Sequence, residues 1–131
     1  MNIIIIEDEL LAQAKLETML GSMDKTITVL AKISSVKDAL TWLSQNPSPD
    51  LAFVDIQLSD DHSFEIFRQH PTPFPLIFTT AYDKYLLESF EFNSIDYLLK
   101  PITEEKLKRA LDKVKNLALH FQQGNVLKVI Q

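Results

Sequence analysis

Three acidic residues and a lysine stand directly after short apolar runs in this sequence. Glu7 and Asp8 follow Ile3–Ile6, Asp55 follows Leu51–Val54, and Lys100 follows Ile95–Leu99, while Thr79 and Thr80 close the run that begins at Leu76. Unbroken runs of that length, rich in β-branched residues, read as strands buried on both faces. If they run parallel in one sheet, their carboxyl ends share one edge, where open α/β sheets bind ligands. One cleft then holds three carboxylates, a hydroxyl and an ammonium. Carboxylates so crowded repel one another, and one is driven to protonate unless a cation joins them. A hard, oxygen-seeking ion such as Mg²⁺ relieves that repulsion. A carboxylate beside Mg²⁺, facing a lysine and a threonine hydroxyl, is arranged to attack phosphorus. Metal and lysine neutralise the phosphoryl oxygens, the hydroxyl donates to one of them, and the product is an aspartyl phosphate.

Each residue also has a plain structural reading. Glu7-Asp8-Glu9 can be the acidic start of a helix, where carboxylates meet the positive end of the dipole. Asp55 can be a turn residue, Thr79-Thr80 ordinary strand residues and Lys100-Pro101 a surface turn. Joint placement at one sheet edge favours a shared site over four coincidences.

The elements that position these residues alternate along the chain. Strand-like runs at Asn2–Ile6, Thr26–Ile33, Leu51–Val54, Leu76–Thr79 and Ile95–Leu99 are separated by helical patterns. The first helix carries Leu16, Met19 and Leu20 and is expected to close at Gly21. Val36, Ala39, Leu40 and Leu43 mark a second, ended by Asn46-Pro47. Phe64, Ile66 and Phe67 suggest a brief third, Lys84–Phe92 a fourth, and Leu107, Ala110, Leu111, Val114, Leu117, Ala118 and Phe121 a fifth. Thr103 stands at the cap of that last helix, with Lys106 where a capping box has an acid. Five strands alternating with helices predict an α/β fold: a three-layer, doubly wound, five-stranded parallel sheet with right-handed crossovers. No internal repeat or low-complexity stretch is visible. Residues 1–121 are expected to form one domain and 122–131 a linker or the start of a further domain.

Composition narrows the function. The 131 residues are 46% hydrophobic and 24% charged, one domain's length with one sizeable core. Lys and Arg total 13 and Asp and Glu 18, and the resulting charge of −5 argues against a free-standing nucleic-acid binder. The lack of cysteine excludes disulfides, thiolate zinc sites and cysteine nucleophiles. Gly21 and Gly124 are the only glycines, so no glycine-rich phosphate cradle exists. The Ile3–Ile6 run is far shorter than the roughly 20 residues that span a bilayer. It follows a neutral Asn, unlike a signal peptide, so no membrane partner and a cytoplasmic location are expected.

The stretches Ile-Ile-Ile-Glu7-Asp8-Glu, Leu-Ala-Phe-Val-Asp55-Ile-Gln-Leu, Ile-Phe-Thr-Thr80-Ala and Asp-Tyr97-Leu-Leu-Lys100-Pro101 together resemble the receiver domain of bacterial two-component response regulators, over about residues 2–120. The segment from Thr80 through Pro101 looks most like receivers of the LytTR (LytR/AlgR) class, which usually precede a DNA-binding domain. The resemblance implies a flavodoxin-like strand order, 2-1-3-4-5, and phosphorylation of Asp55 by a partner histidine kinase. It further implies Mg²⁺ held by Asp8, Asp55 and the backbone carbonyl of Gln57, with Glu7 acting through a water. Thr80 and Lys100 would contact the phosphoryl group, Tyr97 would be the switch aromatic, and the Lys100–Pro101 bond would be cis. DNA is then a partner only through a C-terminal domain outside this chain.

The sequence departs from the family at three places. Glu7 stands where Asp is commoner, and Ser59 and Ser63 replace the usual Pro and Gly of the loop after Asp55. Because Ser tolerates positive φ poorly, an altered backbone is expected at Ser63. His62, His70 and His120 are scattered and read as solvated side chains. Lys106, Lys108, Arg109, Lys113 and Lys115 make the last helix basic. They read either as a solvated face or as a homodimer face that pairs with a partner's Glu88 and Glu91 on phosphorylation.

Three other functions compete. A flavodoxin-like flavin carrier needs a hydroxyl-rich loop after the first strand, and Glu7-Asp8-Glu9 repels phosphate. A haloacid-dehalogenase-type phosphatase needs its nucleophile at the end of the first strand with a second Asp two residues on, which Glu7-Asp8-Glu9-Leu10 does not supply, and the chain is too short for a cap domain. A receiver-like scaffold that binds partners without phosphorylation remains as the alternative.

Overall fold

The structure, a computed structural model, describes the backbone of residues 1–122 and the side chains through Leu119. Five strands, β1 (Asn2–Ile6), β2 (Thr28–Ile33), β3 (Leu51–Asp55), β4 (Leu76–Thr80) and β5 (Ser94–Leu99), pair in parallel in the order β2-β1-β3-β4-β5. Five helices connect or follow them: α1 (Leu10–Met23), α2 (Val36–Gln45), α3 (Phe64–Gln69), α4 (Leu86–Ser89) and α5 (Glu104–Gln122). The expected α/β class, layering and strand order are therefore observed.

Burial on both faces explains the unbroken apolar strands. Ile3, Ile4, Ile5 and Ile6 are each at most 1% exposed. Ile4 and Ile6 face one core with Ala52, Val54 and Phe78, closed by residues of α2 and α3 such as Ala39, Phe64 and Phe67. Ile3 and Ile5 face the other with Phe53 and Ile77, closed by Leu16 and Leu20 of α1 and by Leu107, Ala110 and Leu111 of α5. Alternation along each strand feeds both cores. The register sets Ile6 beside Val54, Asp55 beside Thr79 and Thr80 beside Leu99, so the strand ends that carry the polar residues lie level.

Capping fixes several helix starts. Thr103 Oγ1 accepts from the Lys106 N–H at 3.2 Å, as its position predicts. Ser35 Oγ accepts from the Asp38 N–H at 3.0 Å, and the Asp60 carboxylate takes the Val36 and Lys37 N–H groups at 2.9 and 3.1 Å. Asp60 thus ties the loop after β3 to the start of α2, a contact that neither residue's spacing announces. Burial opposes its ionisation, yet these backbone donors outweigh it and lower its pKa.

Four sequence expectations are corrected. Gly21 does not close α1, which continues to Met23 with Asp24 as its cap. Asp24 Oδ1 then accepts from the Thr26 N–H and hydroxyl, so residues 24–27 form a turn, closed by the Ile27 N–H on the Asp24 carbonyl, and β2 starts at Thr28. The helix expected over Lys84–Phe92 is a 3₁₀ turn at Asp83–Tyr85 and the single α-turn of α4. Beyond it, Phe90, Glu91 and Phe92 donate three residues back instead of four. Ser63 keeps an ordinary helical backbone, φ −66°, and among the described residues no non-glycine residue has positive φ. The loop therefore accommodates Ser where the family usually has Gly.

The Lys100–Pro101 bond is cis. Gln122 belongs to α5, and the rest of the proposed linker lies outside the described residues. Among those described, no helix is long and apolar enough to cross a membrane.

Candidate functional site

Four of the expected residues meet at the carboxyl edge of the sheet. Glu7 and Asp8 come from the end of β1, Asp55 ends β3, and Lys100 follows β5. Carboxylate oxygens of Glu7, Asp8 and Asp55 lie within 4.8 Å of one another. The Lys100 ammonium bridges two of them, 2.6 Å from Glu7 Oε1 and 3.1 Å from Asp55 Oδ2. Glu7 is 6% exposed and Asp55 7%. Buried charges of this kind persist only when paired, and one lysine does not balance three carboxylates. All the donors are hard oxygens, a set that suits a small divalent cation.

Electrostatics shows the imbalance. Burial pushes the Asp8 carboxyl above its ordinary range, and the hydrogen bond and charge of Glu7 push it further. For Lys100, burial works against the charge, but the hydrogen bond to Glu7 and the charge of Asp55 outweigh it, so its pKa is raised. Asp8 thus holds its proton more tightly, and the lysine keeps its own.

The other expected residues flank this centre. The Gln57 N–H donates to Asp55 Oδ1 at 3.3 Å, so the backbone turns back over the carboxylate. Thr80 is 1% exposed, and its hydroxyl accepts from the Tyr82 N–H at 3.2 Å. Tyr97 on β5 packs half-buried against the core and donates its hydroxyl to the Tyr82 carbonyl. Tyr82 is therefore clasped on one side by the expected phosphate-sensing hydroxyl and on the other by the expected switch aromatic. Sequence spacing did not single out Tyr82, because both contacts go to its backbone.

Among the described residues, no histidine joins a metal-binding cluster. His62 packs edge-on against Tyr85, with ring centroids 5.2 Å apart, and His70 carries a buried Nδ1 without a partner. The side chain of His120 lies outside the described residues.

The basic helix is partly used within the chain. Lys113 pairs with Asp96 at 3.2 Å, Lys115 with Asp24 at 3.1 Å, and Lys106 Nζ donates to the carbonyls of Leu99 and Pro101. Glu88 is held by Arg68 of α3 at 2.7 Å, with Glu91 at 3.8 Å. The acids expected to meet a partner's cations therefore already have a cation of their own. Arg68 went unnoticed in the sequence because it is an isolated charge on a short helix.

Comparison with known proteins identifies the family. Residues 3–112 match the response regulator receiver domain. The sensory transduction protein LytT of Bacillus anthracis is 39% identical over 118 residues, 88% of this chain and 47% of that protein. The positive alginate biosynthesis regulatory protein of Pseudomonas aeruginosa is 32% identical over 116 residues, 86% of this chain and 46% of that protein. The chain spans about half the length of these curated relatives. Among solved structures, the response regulatory domain of mrkE from Klebsiella pneumoniae superposes with a TM-score of 0.76 at 27% identity, covering 94% of this chain and 99% of that one. Sheet order, strand-end acids and sequence all converge, and the chain belongs to the response regulator receiver domains, of the LytT/LytR type.

Proposed function

We propose that this domain accepts a phosphoryl group on Asp55 and uses it as a signalling switch instead of turning over a substrate. The observation that carries the reading is the Lys100 ammonium set between Asp55 and Glu7 inside a cluster of three carboxylates. Asp8, Asp55 and the Gln57 carbonyl are suited to hold Mg²⁺ directly, and Glu7 through a water. Bound there, Mg²⁺ supplies positive charge to the phosphoryl oxygens. An Asp55 oxygen attacks phosphorus of a phosphoimidazole, the O–P bond forms as the N–P bond breaks, and the imidazole leaves with a proton from solvent. Lys100 stabilises charge on the transferred group.

The Thr80 hydroxyl, drawn to the new phosphoryl oxygens, gives up the Tyr82 N–H. That loosens the clasp Tyr82 shares with Tyr97 and shifts the face made by α4, β5 and α5 between two states. Leu87 is 80% exposed and Phe90 65% on this face, and Arg109 is exposed on α5. They support a phosphorylation-dependent homodimer in which apolar contact counts for more than ion pairs, since Glu88, Glu91 and Lys113 are already paired within the chain. A sensor histidine kinase is the phosphodonor, in the cytoplasm. Residues 1–121 form the receiver and 122–131 lead to an output domain of LytTR type that carries any DNA contact.

Acetyl phosphate with Mg²⁺ should add one hydroxylamine-labile phosphoryl group to the protein, read by intact mass. Asp55→Asn should abolish the addition, as should chelation of the metal. Undiminished labelling of Asp55→Asn would sink the assignment, and a wild type that never labels would favour the scaffold reading.

A further inference from the structure

Gln57 makes three connections at once. Its N–H reaches Asp55 Oδ1, its carbonyl belongs to the proposed metal set, and its side-chain Nε2 donates to the Tyr85 hydroxyl at 3.0 Å. Tyr85 ends the 3₁₀ turn and immediately precedes α4. It is 8% exposed. Its ring meets His62 edge-on with centroids 5.2 Å apart, and Phe64 at 6.4 Å, while the Lys84 ammonium sits 5.2 Å from the ring centre. A ring fixed on three sides presents its hydroxyl at one place. The loop after Asp55 and the entry to α4 therefore cannot shift independently without breaking this bond.

We propose that Tyr85 is a positioning residue that acts through the Gln57 side chain, holding the Gln57 carbonyl for the metal and coupling metal occupancy to the start of α4. The coupling rests on the proposed Mg²⁺ site. With its side chain anchored, Gln57 presents its carbonyl to the ion without first being ordered, so the bond favours binding. Reciprocity then requires bound metal to favour the bond, and with it the seated position of Tyr85 and α4.

Two substitutions test this. Tyr85→Phe keeps the packed ring and removes the hydroxyl. Gln57→Met keeps the side-chain length and the backbone carbonyl and removes the amide. Mg²⁺ affinity is read from the dependence of melting temperature on Mg²⁺ concentration, without any phosphodonor. Each variant should bind Mg²⁺ about three- to tenfold more weakly, the range a single neutral hydrogen bond commands. The double variant should lose no more than either single one. In the wild type, Mg²⁺ should slow amide hydrogen exchange over residues 85–90, and in Tyr85→Phe that slowing should shrink. A merely structural tyrosine would lower the apo melting temperature and leave Mg²⁺ affinity untouched. If Tyr85→Phe binds Mg²⁺ as the wild type does, or if the two losses add in full, the coupling is overturned while the metal site stands. If the wild type itself does not respond to Mg²⁺, the metal site falls, and the coupling with it.

Discussion

The two faces of the sheet are packed by different chemistry and by helices of different length. One face is aromatic. Phe64 stacks on Phe92 with ring centroids 5.2 Å apart and meets Phe78 edge-on at 5.2 Å, with Phe67 and Tyr85 at the margins. It is covered by α2, of 10 residues, and α3, of 6, with the four-residue α4 beside them. The other face is mostly aliphatic, with Ile3, Ile5, Leu16, Leu20, Leu107, Leu111 and Val114 held under α1, of 14 residues, and α5, of 19. A four-residue helix cannot sustain itself by its own hydrogen bonds. What holds α4 is a set of side-chain contacts: Arg68 on Glu88, the Arg68 guanidinium 5.6 Å from the Phe92 ring centre, and Tyr85 on Gln57. Such contacts are each weak enough to be exchanged. Burial of a four-turn stripe is not. The difference suits the proposed switch to the aromatic face and its support to the aliphatic one.

The largest expected effect would break the aliphatic support. Leu107 is fully buried between α5 and the sheet, and Leu107→Ala should cost about 2–5 kcal/mol of stability by urea denaturation. A loss under about 1 kcal/mol, far below the range for such sites, would mean that this face also yields.

Asp8, at the seam between the faces, should work the other way. Its raised pKa means that the folded state holds the proton more tightly than the unfolded chain. The stability this contributes is present below the ordinary value of 3.8 and is lost as pH rises through the folded value. Asp8→Asn should therefore stabilise the apo protein at pH 7 by on the order of 1 kcal/mol, the scale of one like-charge contact. It should also flatten the fall in melting temperature across that acidic window. An unchanged profile would show that Asp8 carries no strain.

A smaller gain should come from stiffening α1. A Cβ placed on Gly21 meets nothing within 4 Å, so Gly21→Ala should add about 0.5–1 kcal/mol. Thermal melts of the two proteins at equal concentration decide it.

The smallest global effect should fall on the aromatic face. The Arg68 and Glu88 side chains are 40% and 37% exposed, so Arg68→Ala should change overall stability by only about 0–1 kcal/mol. Hydrogen exchange across residues 86–92 should nonetheless accelerate well beyond that at α5. Equal exchange at the two helices would erase the contrast between the faces.

The sequence showed the strands and the acidic sheet edge more clearly than it showed α4. Ile3–Ile6 and Leu51–Val54 are buried on both sides, so their composition alone reports their role, and topology then carries Glu7, Asp55 and Lys100 to one place. In the α4 region apolar character misleads, because Leu87 and Phe90 face solvent. Their spacing suggests a helix over Lys84–Phe92, well beyond the four residues of α4 that form. Asp60 and Tyr82 escaped notice for another reason: Asp60 holds backbone groups of the distant α2 start and Tyr82 acts through its own backbone, and no local pattern records such contacts. Arg68 became visible only when α3 and α4 were set side by side.

The backbone of this fold makes no use of left-handed geometry. Gly21 is helical, Gly124 lies beyond the described residues, and no described non-glycine residue has positive φ. Every described turn is thus made from conformations open to ordinary residues. A chain of 131 residues with 2 glycines wanders through fewer shapes when denatured than one of average composition. Less disorder has to be given up on folding, and part of this domain's stability accordingly resides in the poverty of its unfolded state, where no inspection of native contacts can find it.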